Sequence, residues 1–138
     1  MKNRNRAMLP GLVVAVALLL STWPVAAHHE MVAQFSMNSP ITLRGRVTKV
    51  EWVNPHGWIY VDIKGADGRV QAWAVETGSP FKMTKRGLKP ADFQYGTEVI
   101  IGAFAARDGS RRAAGMVVTF VARETASGEP EASFTLGR

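Results

Sequence analysis

Three histidines are the residues of this sequence best suited to metal binding: His28, His29 and His56. If an N-terminal segment is removed after Ala27, His28 becomes the first residue and carries a free α-amino group. That amine and the His28 ring nitrogen can chelate a metal, and the His56 imidazole completes a nitrogen-rich set that suits Cu(II). The amine has an ordinary pKa of about 7.7–8.0, so it can lose its proton near neutral pH. The pattern predicts a site for copper or another divalent metal.

The histidines also have an interpretation without a metal. His28 and His29 are then exposed at a flexible terminus, and His56 bonds to nearby backbone in a turn. Glu30, Glu51 and Glu76 could add oxygen ligands only if the site exists. Both interpretations stay open, because nothing in the sequence fixes the distance from His28 to His56.

Aromatic residues form a second candidate site, for a ligand. In the segment 58–64, Ile59, Val61 and Ile63 alternate with Trp58, Tyr60 and Asp62. If the aliphatic residues face a core, Trp58 and Tyr60 face outward. Exposed aromatic rings stack on sugars or flat ring systems, or anchor a protein partner. The predicted ligand-binding residues are Trp52, Trp58, Tyr60 and Trp73. Alternatively, the N-terminal arm, a short helix or the C-terminal tail covers these rings.

The sequence lacks a recognisable catalytic set. Asp62 and Glu76 could act as an acid–base pair, but no companion nucleophile or base is evident, and surface or loop-capping roles suit them better. Ser79 has no Gly-x-Ser-x-Gly context, and glycine-rich phosphate loops are absent. We therefore predict a protein that is not an enzyme.

Residues 1–27 have the pattern of a secretory signal peptide. Lys2, Arg4 and Arg6 precede the apolar run 12–20, and small residues at 25–27 offer a cleavage site. An uncleaved membrane anchor is the alternative, but the run is shorter than the roughly 20 residues that span a bilayer. The segment predicts a periplasmic or secreted protein with no stable membrane span after cleavage.

Composition narrows the class of protein further. The 138 residues contain no cysteine, which excludes disulfides and thiolate metal sites and fits a bacterial periplasm. The formal charge of +6 falls to +3 once the three basic residues of the signal are removed. This mild excess, on an exported chain, argues against nucleic acid as a partner. The remaining candidates are an unidentified small ligand or a periplasmic protein.

The mature chain predicts an arm, one β-domain with a short helix, and a tail. Residues 28–40 lack a clear period and form the arm. Strand-like runs follow at 41–53, 58–64, 70–76, 97–105 and 113–121. A switch in apolar parity near Gly45 predicts a bulge in the first strand, and Ser79-Pro80 predicts the start of the helix. The tail 123–138 is predicted to be loose, with a possible edge strand at 133–136.

Three strands, a short helix and a final hairpin are the order of a five-stranded oligonucleotide/oligosaccharide-binding (OB) barrel. The predicted fold is therefore all-β with one short helix, an OB-like barrel over residues 41–122. A closed barrel also removes open sheet edges. The alternative is a fragment of a β-sandwich, which would normally need about seven strands.

The chain resembles a family of small exported bacterial proteins of unknown function whose mature chains begin with two histidines. The likeness covers roughly residues 28–120 and is most specific in the Glu-Trp-x-Asn-Pro-His turn at 51–56. Two features depart from the family: Glu30-Met31 replaces Ser-Phe, and the tail lacks an aromatic-rich ending. The resemblance implies export and a compact β fold, but no activity. Other matching residues are His28-His29, Phe35, Thr42-Leu43, Gly45, Val47, Val50, Trp58-Ile59, Trp73, Glu76, Gly78-Ser79-Pro80, Arg86-Gly87 and Gly96.

Overall fold

The computed structural model describes residues 31–121 and 133–137. The chain divides into two compact units at residues 33 and 34, and the described part of the first unit is helical. The predicted signal peptide, His28, His29 and tail residues 122–132 lie outside the described residues and remain predictions. None of the helices in the described part of the chain is both long and apolar enough to cross a bilayer.

The second unit is built almost wholly from strands. Two short helices interrupt them, and the sequence predicted the first of these. The elements are β1 (Phe35–Glu51), β2 (Trp58–Lys64), β3 (Val70–Glu76), α1 (Pro80–Lys85), a 3-10 helix (Pro90–Phe93), β4 (Glu98–Ala106), β5 (Arg112–Phe120) and β6 (Ser133–Thr135).

Five of these strands form a closed ring. The sheet order is β3-β2-β1-β4-β5, and a further parallel pairing of β3 with β5 joins the two ends. The other pairings within the ring are antiparallel. This arrangement confirms the predicted OB-like barrel, in which one strand at the closure runs parallel to its neighbour.

Strand β1 serves both sides of the ring because it bends sharply in the middle. It pairs with β4 up to Arg46 and with β2 from Arg46 onward, and the register to β2 shifts between Val47 and Lys49. Gly45 lies at the bend, where a Cβ atom would collide with the carbonyl oxygen of Asp62. The bulge expected from the parity switch is therefore present, and glycine permits the close approach of two backbones.

The first strand starts earlier than the sequence suggested. Phe35 already pairs with Ala106 and is fully buried, so residues 35–40 belong to β1 rather than to a separate arm. The segment is polar and lacks alternation, which is why its sequence gives no strand signal. Its place in the sheet depends on β4, some 60 residues further along the chain, as the Pro40–Phe104 pair illustrates.

Alternating side chains fill the barrel. Ile59 and Val61 of β2 are buried, as predicted, while Ile63 is half-buried and packs against the same core. Met83 of α1 and Phe93 of the 3-10 helix close one end. α1 begins as predicted, with the backbone N–H of Lys82 donating to the Ser79 hydroxyl at the N-cap.

The last described residues pack onto the barrel. β6 pairs with β5, and the N–H of Gly78 donates to the carbonyl of Leu136 at 2.8 Å. Leu136 is fully buried. Residues 133–137 therefore fill the gap between β5 and the segment after β3. β6 lies within the edge strand expected at 133–136, and the burial of Leu136 fixes this part of the tail on the core.

Candidate functional site

The outward positions of β2 and its neighbours form one face, which we call the outer face. Residues paired across strands share a face. Trp58 lies opposite Glu51 on β1 and Glu76 on β3, and Tyr60 lies opposite Lys49 and Ala74. The structure therefore places the Trp58 and Tyr60 rings outside the barrel, where both are half-buried.

Trp58 lies beneath an arginine. The Arg112 guanidinium carbon is 5.6 Å from the Trp58 ring centroid and 5.9 Å from that of Phe35. Arg112 also donates to the Gln34 side-chain oxygen at 3.3 Å. A cation stacked over an indole ring holds both groups in a defined position. Arg112 follows the β4–β5 loop (residues 107–111) and Trp58 follows the β1–β2 loop (residues 52–57), so the two loops converge on this pair.

Tyr60 belongs to a small charged network. Its hydroxyl donates to Glu51 Oε2 at 3.2 Å, and Lys49 Nζ lies 2.5 Å from Glu51 Oε1 and 5.3 Å from the Tyr60 ring centroid. The hydrogen bond from Lys49 lowers the pKa of the Glu51 carboxyl and raises the pKa of Lys49. Burial, followed by the bond to Glu51, raises the pKa of the Tyr60 hydroxyl. These contacts fix the orientation of the Tyr60 ring.

Two alanines lie beside Tyr60 on the neighbouring strand. Ala74 pairs with Tyr60, and Ala72 pairs with Asp62. The side chains at these positions are small, and Ala72 is exposed while Ala74 is half-buried. The alternation of β3 places these alanines outward once Val75 is assigned to the core, so this signal was available in the sequence.

Trp52 and Trp73, which we predicted as ligand-binding residues, contact the core instead. Trp73 pairs with Val61 on the inner side of the sheet, and both tryptophans pack against the buried cluster. The Trp52 ring centroid is 6.1 Å from that of Phe93, in a tilted arrangement. The four aromatic residues thus do not share one surface, and only Trp58 and Tyr60 lie on the outer face.

His56 is held by a buried carboxylate. Its Nδ1 lies 2.7 Å from Glu76 Oε1, and the Glu76 side chain is only 7% exposed. Glu76, expected at the surface or at a loop cap, is instead enclosed at the end of β3. The β1–β2 loop, which includes a cis peptide bond between Asn54 and Pro55, brings His56 back over that strand. Sequence reasoning missed this pair because its members are 20 residues apart, in different elements.

The described residues provide only part of the predicted metal site. Within 31–121 and 133–137, no three His, Cys, Asp or Glu side chains form a group that could hold a metal ion. His28 and His29 lie outside these residues. The His56–Glu76 pair is nevertheless the arrangement in which a carboxylate orients a metal-binding histidine.

A groove lies further along the outer face, beyond Tyr60. Its volume is about 600 Å³, and it runs past the bend of β1. Glu98 accepts from Arg44 Nε at 3.0 Å and lies 3.8 Å from Arg46 Nη2, so acidic and basic groups largely balance. The predicted site residues do not include this groove. It is lined by Arg44, Gly45, Arg46, Val47, Thr48, Asp62, Lys64, Val70, Tyr95, Gly96 and Glu98.

Comparison with known protein families assigns most of the chain to a family. The model of a protein family described as a family of unknown function (DUF6152) matches residues 16–116. No curated protein matches the chain. No solved structure matches it either.

Proposed function

The chain belongs to a family of unknown function, DUF6152, and from that premise we propose that it is an exported, non-enzymatic β-barrel module that binds a ligand on its outer face. The ligand is a small molecule or a periplasmic protein. Trp58 and Tyr60 provide the contact surface, and Arg112 provides a positive charge beside it.

The observation that carries this proposal is the position of the Trp58–Arg112 pair between two loops. In OB barrels the face of strands two and three and the loops between strands one and two and between strands four and five bind ligands. Trp58 and Arg112 are the first residues after those two loops here, and they are in contact. Half-buried aromatic rings beside a cation are a common composition for a binding surface.

A binding screen with defined probes tests this proposal. The protein is titrated with neutral and acidic oligosaccharides and with short peptides, and the tryptophan side-chain NMR signals are followed. We expect a ligand to shift the Trp58 signal, and Trp58→Ala to weaken its binding at least about tenfold, as loss of an anchoring aromatic residue does. Val117→Ala is the matched control on β5 and should bind normally. Ligands that bind equally well to both variants would count against the outer face.

A copper-binding role is the second candidate, favoured by the short contact between His56 and Glu76. When neutral His56 donates its Nδ1–H to Glu76, the ring lone pair is on Nε2, as in many metal-binding histidines. The mature terminus at His28 would supply the other nitrogen ligands.

Mass spectrometry of the exported protein, followed by copper titration of the same sample, tests both export and this second role. Cleavage after Ala27 and loss of tight copper binding in His56→Ala would support it. A mature terminus elsewhere removes the amine chelate and with it the copper site. Trp58→Ala should bind copper normally, which separates the two candidate functions.

A further inference from the structure

The helix α1 carries an exposed aromatic residue that the core does not use. Phe81 is 68% exposed, whereas Met83, two residues later, is fully buried. Residues two apart on a helix point in nearly opposite directions. Because Met83 faces the core, Phe81 faces away from the barrel. The Phe81 ring is thus an apolar group presented to the surroundings by a fixed element.

One lysine lies over this ring, and two more are close to it in the sequence. Lys85 Nζ lies 5.1 Å from the Phe81 ring centroid, and Lys82, Lys85 and Lys89 are all exposed. No acidic residue lies in the first turn of α1, and the side chain of Asp92 is engaged by the backbone N–H of Lys89. None of these three lysines has a described ion pair. We call Phe81, Lys82, Lys85 and Lys89 the α1 patch.

The α1 patch contributes three positive charges to the predicted mature chain. Its three lysines are three of the 14 basic residues of the predicted mature chain, which carries 11 acidic residues and a net charge of +3. Several basic residues elsewhere on the barrel do pair with acidic ones, as Arg44 and Arg46 do with Glu98 and Lys49 does with Glu51. The α1 patch thus combines an exposed aromatic ring with three exposed lysines that have no described ion pair.

We propose that the α1 patch binds the surface of an anionic lipid bilayer. An aromatic side chain inserts at the headgroup level, and lysines around it are attracted by anionic lipids. The positive charge of the patch complements such a surface. Phe81 adds an apolar contact with the bilayer, which electrostatic attraction alone would not provide. The patch would hold the exported barrel at the membrane, independently of the ligand bound at the outer face.

Vesicle sedimentation tests this proposal. The full chain is expressed with its N-terminal segment and purified in whatever form the cell produces, processed or not. It is then mixed with phosphatidylcholine vesicles with or without phosphatidylglycerol. We expect binding to require phosphatidylglycerol and to weaken with salt. Each lysine near an anionic surface contributes about fivefold in affinity, so Phe81→Ala with Lys82→Glu should reduce binding by more than about tenfold.

A matched variant at the other end of β3 is the control. Val70, 63% exposed, and Lys64 pair at the far end of the β2–β3 hairpin. Val70→Ala with Lys64→Glu makes the same change in charge and a comparable loss of exposed apolar surface. It should keep nearly full vesicle binding, and circular dichroism should show both variants folded.

Three results would overturn the proposal. The first is binding that does not depend on phosphatidylglycerol, and the second is an equal loss in both double variants, which would indicate a response to net charge alone. The third is unchanged vesicle binding in the Phe81→Ala, Lys82→Glu variant. In that case an acidic protein would be a better candidate than a membrane for the partner of the α1 patch. The outer-face screen is unaffected by any of these, so the two proposals fail separately.

Discussion

At the scale of single residues, the outer face is organised by pairs of a cation and an aromatic ring. Arg112 lies over Trp58, and Lys49 lies near Tyr60 and bonds to Glu51. Each pair helps to hold its ring in one orientation. A restrained ring loses less conformational entropy when a ligand stacks on it, which favours binding.

The Lys49–Glu51 bond predicts a measurable pH dependence. Because Lys49 lowers the pKa of Glu51, this carboxylate stabilises the fold above its unfolded pKa, and the contribution is lost as pH falls through the lowered folded value. Lys49→Met should raise the pKa of Glu51 towards its ordinary value, as followed by carboxyl-carbon NMR. Since Glu51 is only half-buried and is screened by solvent, the effect on stability should be small.

Lys64→Met is the control for this titration. Lys64 is an exposed lysine on the same face, and it has no described contact with Glu51. Removing it should leave the Glu51 titration unchanged. A Glu51 pKa that is the same in Lys49→Met and in the unmodified protein would show that the Lys49 contact is absent in solution.

His56 and Glu76 show what single-residue patterns could not reveal. Both residues were noted in the sequence as possible metal ligands, but their direct contact depends on a loop conformation and on pairing of β2 with β3. Trp73 is different. Its parity relative to Val75 assigns it to the inner side of the sheet, so stricter use of alternation would have separated it from Trp58 and Tyr60.

At the scale of elements, strands with clear alternation were predicted well. β2 and β3 have the bounds expected from the sequence, and α1 begins at the expected N-cap, Ser79. The start of β1 and the packing of residues 133–137 were harder to predict. Both depend on partners far away in sequence, since Phe35 pairs with Ala106 and Leu136 packs into the core beside β5.

The C-terminal segment should contribute strongly to stability. Leu136 is fully buried in the core cluster. Leu136→Ala should lower the free energy of unfolding by about 2–5 kcal/mol, because it removes buried methyl groups and leaves a cavity. Thr135→Ala, at the exposed neighbouring position, should change it by about 0.5 kcal/mol or less. Urea unfolding measures both.

Equal small effects for the two variants would contradict the packing of residues 133–137 described above. That segment is also held by Arg86, whose guanidinium donates to the carbonyls of Thr135 and Gly137. Removal of residues 133–138 should therefore be more damaging than Leu136→Ala alone, since it also leaves part of β5 without a partner strand.

At the scale of the whole molecule, closure of the ring sets where the outer face lies. The parallel pairing of β3 with β5 brings Arg112 next to Ala74, which is itself paired with Tyr60 on β2. Arg112 is therefore two strands away from Tyr60. In an open sheet, Arg112 and Trp58 would lie at distant strands. The order of strands in the sequence predicts this closure, but the identity of the arginine over Trp58 follows only from the three-dimensional register.

The proposed ligand face and the α1 patch divide the surface of one small barrel into two roles. The first uses rings held by cations on β2, and the second uses a ring and lysines on α1. Because the two contact regions lie on different elements, the protein could bind a ligand at the outer face while the α1 patch is bound to a membrane.

Photo-crosslinking in exporting cells tests the outer face most directly. A photoreactive residue is placed at Tyr60, and in a parallel strain at the exposed Val117 on β5. We expect one defined adduct from position 60, lost on adding Trp58→Ala, and none of that mass from position 117. The same adducts from both positions, or an adduct from position 60 that persists without Trp58, would contradict the assignment of the outer face as the binding surface.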